Sequence, residues 1–282
     1  MKRINPKKSL GQHFLRSKTA ITQIVTAAAL IPEDTVLEIG PGEGALTLAL
    51  LQSGARVIAV ETDVRCIEKL EERFAEAISK KQLLLIEGDI RSDVVQKMIF
   101  QKKYCGTLPY KLVANIPYYI TGMLFRLFLE TLRQPTAIVF LVQKEVAQLV
   151  VARDGKEGIL SLAVKAYGTP RYVATVKREA FTPPPKVDSA IIAITDISRV
   201  RFAGLRDEDY FRVVKSGFGA KRKMLLGNLA KEFAMSKESL ETIFHEVGID
   251  VRARGEDVAV SQWLLLAKRL FVQPAQHSAK NK

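Results

Sequence analysis

Cysteine and histidine are scarce in this 282-residue chain, which contains two cysteines and three histidines. Cys66 and Cys105 lie far apart and away from any histidine, so no spacing indicates a disulfide framework, a zinc site or a thiol nucleophile. The histidines are scattered, and no arrangement of Ser, His and Asp is recognisable. We therefore expect that the protein has no metal site and that it works in a reducing compartment.

Long apolar runs are also absent, because no stretch approaches the roughly 18 uninterrupted apolar residues of a membrane span. An N-terminal candidate, "AITQIVTAAALI", is interrupted by Thr22, Gln23 and Thr26 and follows a long polar lead-in. This pattern predicts an amphipathic helix rather than a signal peptide. We expect a cytoplasmic protein without a membrane partner, and a monomer by default.

Acidic residues are the third deficit. Asp and Glu total 30 against 43 Lys and Arg, which gives a net charge of +13. An excess of this size favours a polyanionic partner, and surface charge that merely keeps the protein soluble is the alternative. The hydrophobic fraction of 48% is ample for one large core and a smaller one, so we expect one or two domains.

Short β-rich runs alternate with helix-like segments over the first half of the chain. The runs are "TVLEIG" (35–40), "RVIAVE" (56–61), "LLLIEG" (83–88), "KLVANI" (111–116) and "TAIVFL" (136–141). Such alternation predicts βαβ crossovers and a mostly parallel sheet covered on both faces. "RYVATV" (171–176) and "SAIIAIT" (189–195) follow with too few residues between them for a crossover helix, so they predict an antiparallel hairpin.

The β signal stops after about residue 197, and four stretches with helical spacing follow. The sequence therefore predicts an α/β domain over 1–198 and a small all-α domain over 199–282. The second domain ends in the polar tail "PAQHSAKNK", which we expect to be disordered.

Glycines follow the first strand of the predicted sheet. "VLEIGPGEGALT" places Gly40, Gly42 and Gly44 before a helix, where bare backbone allows a tight turn and the close approach of a ligand. The spacing is one residue short of the dinucleotide fingerprint, and Glu43 would repel a pyrophosphate. The pattern therefore favours a cofactor without phosphates.

Acidic residues end the next two strands. Glu61, about 20 residues beyond the glycines, suits the two hydroxyls of a ribose, and Asp89 in "EGDI" suits an exocyclic amine. A strand-end acid is often only a helix N-cap, which is the alternative for Asp89 alone. Three such features at successive strand ends predict an adenosine-containing ligand.

The fourth strand ends in "NIPY" (115–118). An adenine amine is a poor nucleophile because its lone pair is delocalised into the ring, so its alkylation needs acceptors that hold the N–H bonds. The side-chain oxygen of Asn115 and the carbonyl of Ile116 are candidates. Pro117 stiffens the turn, and Tyr118 offers a ring on which a flipped base can stack. The alternative is that Asn and Pro simply end a strand.

A sulfonium methyl group fits as the electrophile. Its leaving group is neutral and needs no general acid, which agrees with a site that shows neither a carboxylate pair nor a catalytic histidine. We expect proximity and alignment to supply most of the rate.

Five motifs in this order, "SLGQHFL" (9–15), "VLEIGPGEGALT", "EGDI", "NIPYYIT" and "FTPPPKVDSA" (181–190), closely resemble the ribosomal RNA adenine dimethyltransferases of the kasugamycin-resistance family. The resemblance covers essentially the whole chain. It implies a class I, Rossmann-like methyltransferase fold, S-adenosylmethionine as the cofactor, and dimethylation of two adjacent adenines near the 3′ end of small-subunit ribosomal RNA during ribosome biogenesis.

The resemblance also implies roles for individual residues at the cofactor and at its junction with the target amine. Many relatives have Asn where this chain has His13, so a backbone contact is what the resemblance implies there. Gly40 would abut the cofactor's amino-acid end and Glu61 would hold the ribose. The implied residues are His13, Leu15, Gly40, Gly42, Glu61, Asp89, Ile90 and Asn115.

The segment "FTPPPKVD" suits the far wall of the target pocket, because three consecutive prolines form a rigid extended stretch. Phe181 would sandwich the base against Tyr118, and a plain loop anchor is the alternative role for this ring. In the helical domain, Lys221, Arg222 and Lys223 predict a cationic surface for the RNA backbone. A solvated charged face is the alternative there.

Three other functions are considered. A large-subunit methyltransferase of the macrolide-resistance type shares the "GQHFL" start, but "FTPPPKVDSA" and the helical domain resemble the small-subunit enzymes more. A non-catalytic ribosome assembly factor would not need Asn115, Glu61 and Asp89. A dinucleotide-dependent dehydrogenase conflicts with Glu43 and the short glycine spacing.

Overall fold

The structure is a computed structural model that describes residues 4–7, 10–220 and 223–271. The chain divides into two compact units, one formed by Met1–Gln148 and Thr169–Ile197 and the other by Leu149–Gly168 and Ser198–Lys282. The segment Leu149–Gly168 thus joins the helical unit, although it precedes the last strands in sequence. The division into domains over 1–198 and 199–282 stays a prediction.

The first unit is built on a seven-stranded sheet. Its strands are β2 (Thr35–Ile39), β3 (Arg56–Glu61), β4 (Leu83–Glu87), β5 (Lys111–Asn115), β6 (Ala137–Gln143), β7 (Thr169–Val176) and β9 (Ser189–Thr195). Their order across the sheet is β4-β3-β2-β5-β6-β9-β7. Strands β2 to β6 run parallel to one another, and β9 runs antiparallel to its two neighbours, β6 and β7. The predicted parallel sheet and hairpin are confirmed.

Seven helices connect or flank these strands. They are α1 (Lys18–Ala28), α2 (Ala45–Gln52), α3 (Val64–Arg73), α4 (Ala75–Ser79), α5 (Asp93–Ile99), α6 (Thr121–Leu129) and α7 (Lys144–Val151). Nearly all apolar side chains of the inner strands β2, β3, β5, β6 and β9 are buried, as the near-continuous hydrophobic strands of a two-sided sheet require, whereas the edge strands β4 and β7 are partly exposed. Helix α1 is the amphipathic helix predicted from the N-terminal run, and it buries Ala20, Ile24 and Ala28.

Two very short strands form a second sheet that the sequence did not predict. Strand β1 (Phe14–Leu15) pairs antiparallel with β8 (Phe181–Thr182), with Leu15 opposite Phe181. Two-residue strands carry no period of their own, and only the folded chain brings these distant segments together. The pairing joins the "GQHFL" motif to the "FTPPPKVD" motif.

The second unit is helical in the part that the structure describes. Its helices are α8 (Ile159–Lys165), α9 (Asp207–Gly217), α10 (Leu225–Phe233), α11 (Lys237–Glu246) and α12 (Val260–Phe271). The last four match the four predicted helical stretches. Trp263 is fully buried and stacks on Phe218, with ring centroids 5.8 Å apart. The polar tail lies outside the described residues, and no described helix has the length and apolarity needed to cross a bilayer.

Candidate active site

A cavity of ≈ 230 Å³ opens in the first unit where the parallel strands end. Parallel α/β sheets bind ligands at this edge, because the strands' carboxyl ends and the following loops meet there. The lining includes all the predicted site residues of this unit except Phe181, namely His13, Leu15, Gly40, Gly42, Glu61, Asp89, Ile90, Asn115, Ile116, Pro117 and Tyr118. The structure thus brings together motifs that are spread over more than a hundred residues.

The glycine turn between β2 and α2 forms one wall of the cavity. Gly40 has φ +66°, and a Cβ atom placed on it would meet no heavy atom within 4 Å. Its backbone therefore faces open space that a ligand can enter. Gly42 has φ +57° and lies against Phe14, since a Cβ atom there would come within 3.0 Å of the ring. Glycine is required at this second position by both the dihedral angle and the packing.

Glu61 ends β3 and is 6% exposed. Its carboxylate accepts backbone N–H groups from Gly42 (3.0 Å), Thr62 (2.8 Å) and Asp63 (2.9 Å). Burial raises its pKa, and these hydrogen bonds oppose the rise. The Thr62 hydroxyl adds a longer hydrogen bond of 3.5 Å to Oε1, whereas Oε2 accepts one N–H among the described residues, that of Gly42. Each carboxylate oxygen has about two lone-pair sites, so Oε2 retains about one for a ligand hydroxyl. The hold on both ribose hydroxyls stays a prediction.

Asp89 follows β4 and shares its carboxylate with Arg91. The guanidinium of Arg91 donates to both oxygens, with Nη2 at 2.5 Å from Oδ2 and Nε at 2.9 Å from Oδ1. These hydrogen bonds from Arg91 lower the pKa of Asp89, so the group is ionised at neutral pH. Both side chains are partly exposed at the cavity mouth. An exocyclic amine at Asp89 would share the carboxylate with Arg91 or displace the guanidinium. The neighbouring Ile90 is buried.

Asn115, the last residue of β5, has an amide group of fixed orientation. Its Nδ2 donates to the backbone carbonyl of His13 at 3.1 Å. A carbonyl can only accept, so the amide nitrogen must face His13 and Oδ1 must point the other way. The side chain therefore presents an acceptor, as the alkylation of an amine requires. Ile116 and Pro117 line the same part of the cavity.

Tyr118 and His13 place two rings beside Asn115. The rings are nearly parallel, with an interplanar angle of 20° and centroids 6.1 Å apart. The Tyr118 hydroxyl forms a 2.6 Å hydrogen bond with the Ser189 hydroxyl, and the Nδ1–H of His13 donates to the carbonyl of Pro183 at 2.8 Å. Burial raises the pKa of Tyr118, which keeps its phenol neutral.

Phe181 is not among the residues that line the cavity. It is 3% exposed and packs in the hydrophobic core of the first unit, opposite Leu15 in the β1–β8 pair. Leu15 is 4% exposed in the same core and lines the cavity, so burial alone does not assign a role to Phe181. Its stacking on a base stays a prediction, and a core anchor for the proline segment is the alternative.

Glu38 is a cavity-lining residue that the sequence analysis missed. It is 1% exposed within β2, and its Oε2 has no hydrogen-bond partner among the described residues. Burial raises its pKa to about 8, and the nearby Glu61 adds to the rise. A buried polar atom without a partner at a cavity wall indicates that a ligand or water satisfies it. The sequence signal that could have identified it is an acidic residue inside a hydrophobic strand, two residues before the first glycine of the turn.

The carboxylate of Glu43, expected to repel anions, is already neutralised. It forms ion pairs with Lys69 (2.6 Å) and Arg16 and accepts the backbone N–H of Ile4 at 3.0 Å. Burial alone would raise its pKa, but these partners outweigh burial and lower it to about 2. Glu43 therefore fastens the N-terminal segment to the glycine turn.

The predicted RNA-binding residues are only partly described. Lys221 and Arg222 lie outside the described residues, and Lys223 is exposed before α10. Their role stays a prediction. In the described part of the chain, no group of three or more His, Cys, Asp and Glu side chains is placed to hold a metal ion.

The chain is similar to curated relatives over nearly its whole length. It is 42% identical over 260 residues to a protein from Dehalococcoides mccartyi named ribosomal RNA small subunit methyltransferase A, covering 92% of this chain and 87% of the relative. A relative of the same name from a Nostoc species is 37% identical, with 96% and 100% covered.

Solved structures agree with the fold. A dimethyladenosine transferase from Plasmodium falciparum superposes with a TM-score of 0.74 at 25% identity, covering 90% of this chain and 96% of that one. The 23S rRNA methyltransferase ErmE has a TM-score of 0.69 at 26% identity, with 91% and 99% covered. The sequence model of the family described as ribosomal RNA adenine dimethylase matches residues 3–271. The chain belongs to the ribosomal RNA adenine dimethylase family.

Proposed function

We propose that this family member methylates the N6 amines of two adjacent adenosines near the 3′ end of small-subunit ribosomal RNA, twice each, with S-adenosylmethionine as the methyl donor. Membership of the family makes the protein an rRNA adenine dimethyltransferase. The positions, the immature small subunit as the substrate, action in the cytoplasm and action as a monomer are parts of the proposal.

The orientation of Asn115 is the observation that carries this function. Its Nδ2 is held by the His13 carbonyl and the residue lines the cavity, so Oδ1 is left as the acceptor that a target amine in the cavity would meet. An N–H bond directed at Oδ1 turns the nitrogen lone pair toward an electrophile on the other side. Because the amide is fixed before the substrate arrives, little reorganisation is needed at the moment of reaction.

The residues of the cavity fit the proposed cofactor. Gly40 leaves open space at its backbone, Glu61 retains about one lone pair for a hydroxyl, and Glu38 places an unpartnered oxygen in the wall. When bound, the cofactor supplies a sulfonium methyl group whose departure leaves a neutral thioether. A cation in the cavity also favours the ionised forms of the buried Glu38 and Glu61 carboxyls.

The small-subunit substrate is favoured over the large-subunit alternative by the relatives. The two curated relatives named as small-subunit methyltransferases are 42% and 37% identical to this chain over nearly its whole length. The 23S rRNA methyltransferase is 26% identical. The motif "FTPPPKVDSA" and the helical unit point the same way.

The deciding experiment is the transfer of labelled methyl groups from S-adenosylmethionine to small ribosomal subunits, and in a parallel reaction to large subunits, from a strain that lacks both modifications. Digestion to nucleosides should yield label in N6,N6-dimethyladenosine. Label that enters only large-subunit RNA would establish the macrolide-resistance type of activity instead. Bound subunits without any label would establish an assembly factor.

A further inference from the structure

We propose that Ser189 is a positioning residue for the reaction, whose hydroxyl holds the ring of Tyr118 in the orientation in which the target adenine stacks on it. This inference rests on the proposed function and deepens it. Ser189 belongs to the motif "FTPPPKVDSA" but is not among the residues that line the cavity. Its effect on the base is therefore exerted through Tyr118.

The hydrogen bond between the two side chains is short and shielded from water. The hydroxyl oxygens of Tyr118 and Ser189 are 2.6 Å apart, and Ser189 is fully buried. Burial also raises the pKa of Tyr118, so the phenol keeps its proton. A buried hydroxyl that loses its partner pays the cost of desolvation without compensation. The tyrosine ring is therefore favoured in the orientation that reaches Ser189.

Ser189 is itself held at a fixed place in the sheet. It is the first residue of β9, and it pairs with both neighbouring strands, β6 and β7. The preceding residue, Asp188, accepts the backbone N–H of Lys144 at its carbonyl (3.0 Å) and that of Arg178 at its carboxylate (3.1 Å). The position of the serine hydroxyl is thus set by the backbone of three chain segments before any substrate binds.

Tyr118, by contrast, lies in a short turn at the cavity wall. Tyr118–Ile120 form a single helical turn between Pro117 and α6, and the tyrosine lines the cavity. A ring that offers one face to a base cannot be packed by protein atoms on that face. A hydrogen bond at the phenol oxygen restrains the ring from its far end and leaves the face open. A side chain ordered in this way loses less freedom when the base stacks on it.

The test is a double-mutant cycle on the single-turnover rate of methylation, measured on small ribosomal subunits that lack the modification, at saturating subunits and cofactor. It compares the wild type, Ser189→Ala, Tyr118→Phe and the double variant. Ser189→Cys has nearly the shape of the wild type but is a weak hydrogen-bonding partner, and it replaces Ser189→Ala in the cycle if that variant does not fold.

Ser161→Ala is the matched control, because it removes the hydroxyl of an equally buried serine in the helical unit. Thermal unfolding is measured for every variant. The dissociation constants for small subunits and for S-adenosylhomocysteine are measured as well, so that losses in binding are separated from losses in rate.

We expect Ser189→Ala, Ser189→Cys and Tyr118→Phe each to lower the rate about fivefold, the effect of losing one hydrogen bond of typical strength. The dissociation constants should not change. The double variant should be no slower than either single variant, because both changes break the same bond. Ser161→Ala should keep the wild-type rate.

Two results would overturn the inference alone. One is a wild-type rate in the Ser189 variants. The other is a further fivefold loss when Ser189 is changed in the Tyr118→Phe protein, because a purely structural role lowers the rate by the same factor in both backgrounds. A wild type that transfers no methyl groups to small subunits would overturn the proposed function as well, so the two failures are distinguishable.

Discussion

Asn115 is the residue on which the proposed chemistry depends most directly. We expect Asn115→Ala to lower the single-turnover rate of methylation about a hundredfold, comparable to the loss of one preorganised hydrogen-bonding group in other enzymes. Binding of small subunits should persist, because in the proposed arrangement the amide would contact the reacting amine and not the RNA backbone. Rapid-quench measurements with saturating cofactor test this expectation.

Asn115→Asp is the matched variant. It keeps an acceptor but places a carboxylate oxygen near the carbonyl of His13, where the amide now donates at 3.1 Å. We expect its rate to lie below that of the wild type and above that of Asn115→Ala. Equal rates in all three proteins would remove Asn115 from the mechanism.

Glu38 links the cavity to the pH dependence of stability. Burial raises its pKa to about 8 from an ordinary value of 4.5, so the folded state holds a proton that the unfolded state releases between these values. The free energy of unfolding should therefore fall as pH rises through this window. Glu38→Gln removes this pH dependence of the free energy of unfolding. As pH rises, the variant should therefore gain stability relative to the wild type by up to about 1.4 kcal/mol per pH unit.

Urea unfolding at pH 5.5, 6.5 and 7.5 measures this difference. Glu87→Gln, at the exposed end of β4, is the control for the loss of a carboxyl on the same sheet. A difference between Glu38→Gln and wild type that does not change with pH would show that Glu38 is already ionised in the folded state.

At the scale of elements, the N-terminal segment is attached to the glycine turn and to α3 through two carboxylates. Glu43 accepts from Ile4, Lys69 and Arg16, and Asp63 pairs with Lys7 and Arg65. The hydrogen bond from Arg65 is the main cause of the lowered pKa of Asp63. Segment, turn and helix are thus one connected unit at the cavity.

We expect Glu43→Gln to reduce the free energy of unfolding by about 2 kcal/mol at pH 7. The partners lower the pKa of Glu43 to about 2 from 4.5, so their stabilisation is present above pH 4.5 and is lost as pH falls toward 2. The difference from wild type should shrink accordingly in acid. Glu76→Gln, at an exposed pair with Lys80, is the control and should change stability little. A difference in the free energy of unfolding between Glu43→Gln and the wild type that does not change with pH would indicate a packing effect.

The elements were predictable from the sequence where local patterns are strong. The strands from Thr35 to Leu141 and the hairpin lie where their apolar runs placed them, because a buried parallel strand must be nearly all hydrophobic. Strands β1 and β8 were not predictable, since each has two residues and depends on a partner far away in sequence.

The candidate site was predictable where a motif fixes a strand end, and less so where packing decides. Asn115 and Glu61 follow from their positions at strand ends, and both line the cavity. The burial of Phe181, the ion pairs of Glu43 and the burial of Glu38 depend on neighbours from other elements. Local spacing carries no information on such contacts.

At the scale of the whole molecule, the net charge of +13 makes binding to ribosomal RNA dependent on salt. If Lys221, Arg222 and Lys223 each contact one phosphate, replacing all three with Ala should lower the slope of log affinity against log salt by about 2. The affinity loss should be largest at low salt. Filter binding from 50 to 200 mM salt measures the slope.

A triple variant of exposed lysines in the first unit, at Lys81, Lys97 and Lys102, is the charge-matched control. It removes the same net charge, so a purely non-specific attraction predicts equal slopes for the two triple variants. A slope that changes only for the 221–223 variant would locate the RNA contact in the helical unit.

The hydrogen bond between His13 and Pro183 spans 170 residues of sequence, and the β1–β8 pair spans a similar length. During synthesis, the ribosome must therefore produce nearly two thirds of the chain before the cavity can close. A nascent or truncated product lacking the second partner has the glycine turn and Asn115 but not the arrangement that holds His13. Such fragments should be unable to modify the ribosome that makes them or any other, so methylating activity begins only after nearly two thirds of the chain has been made.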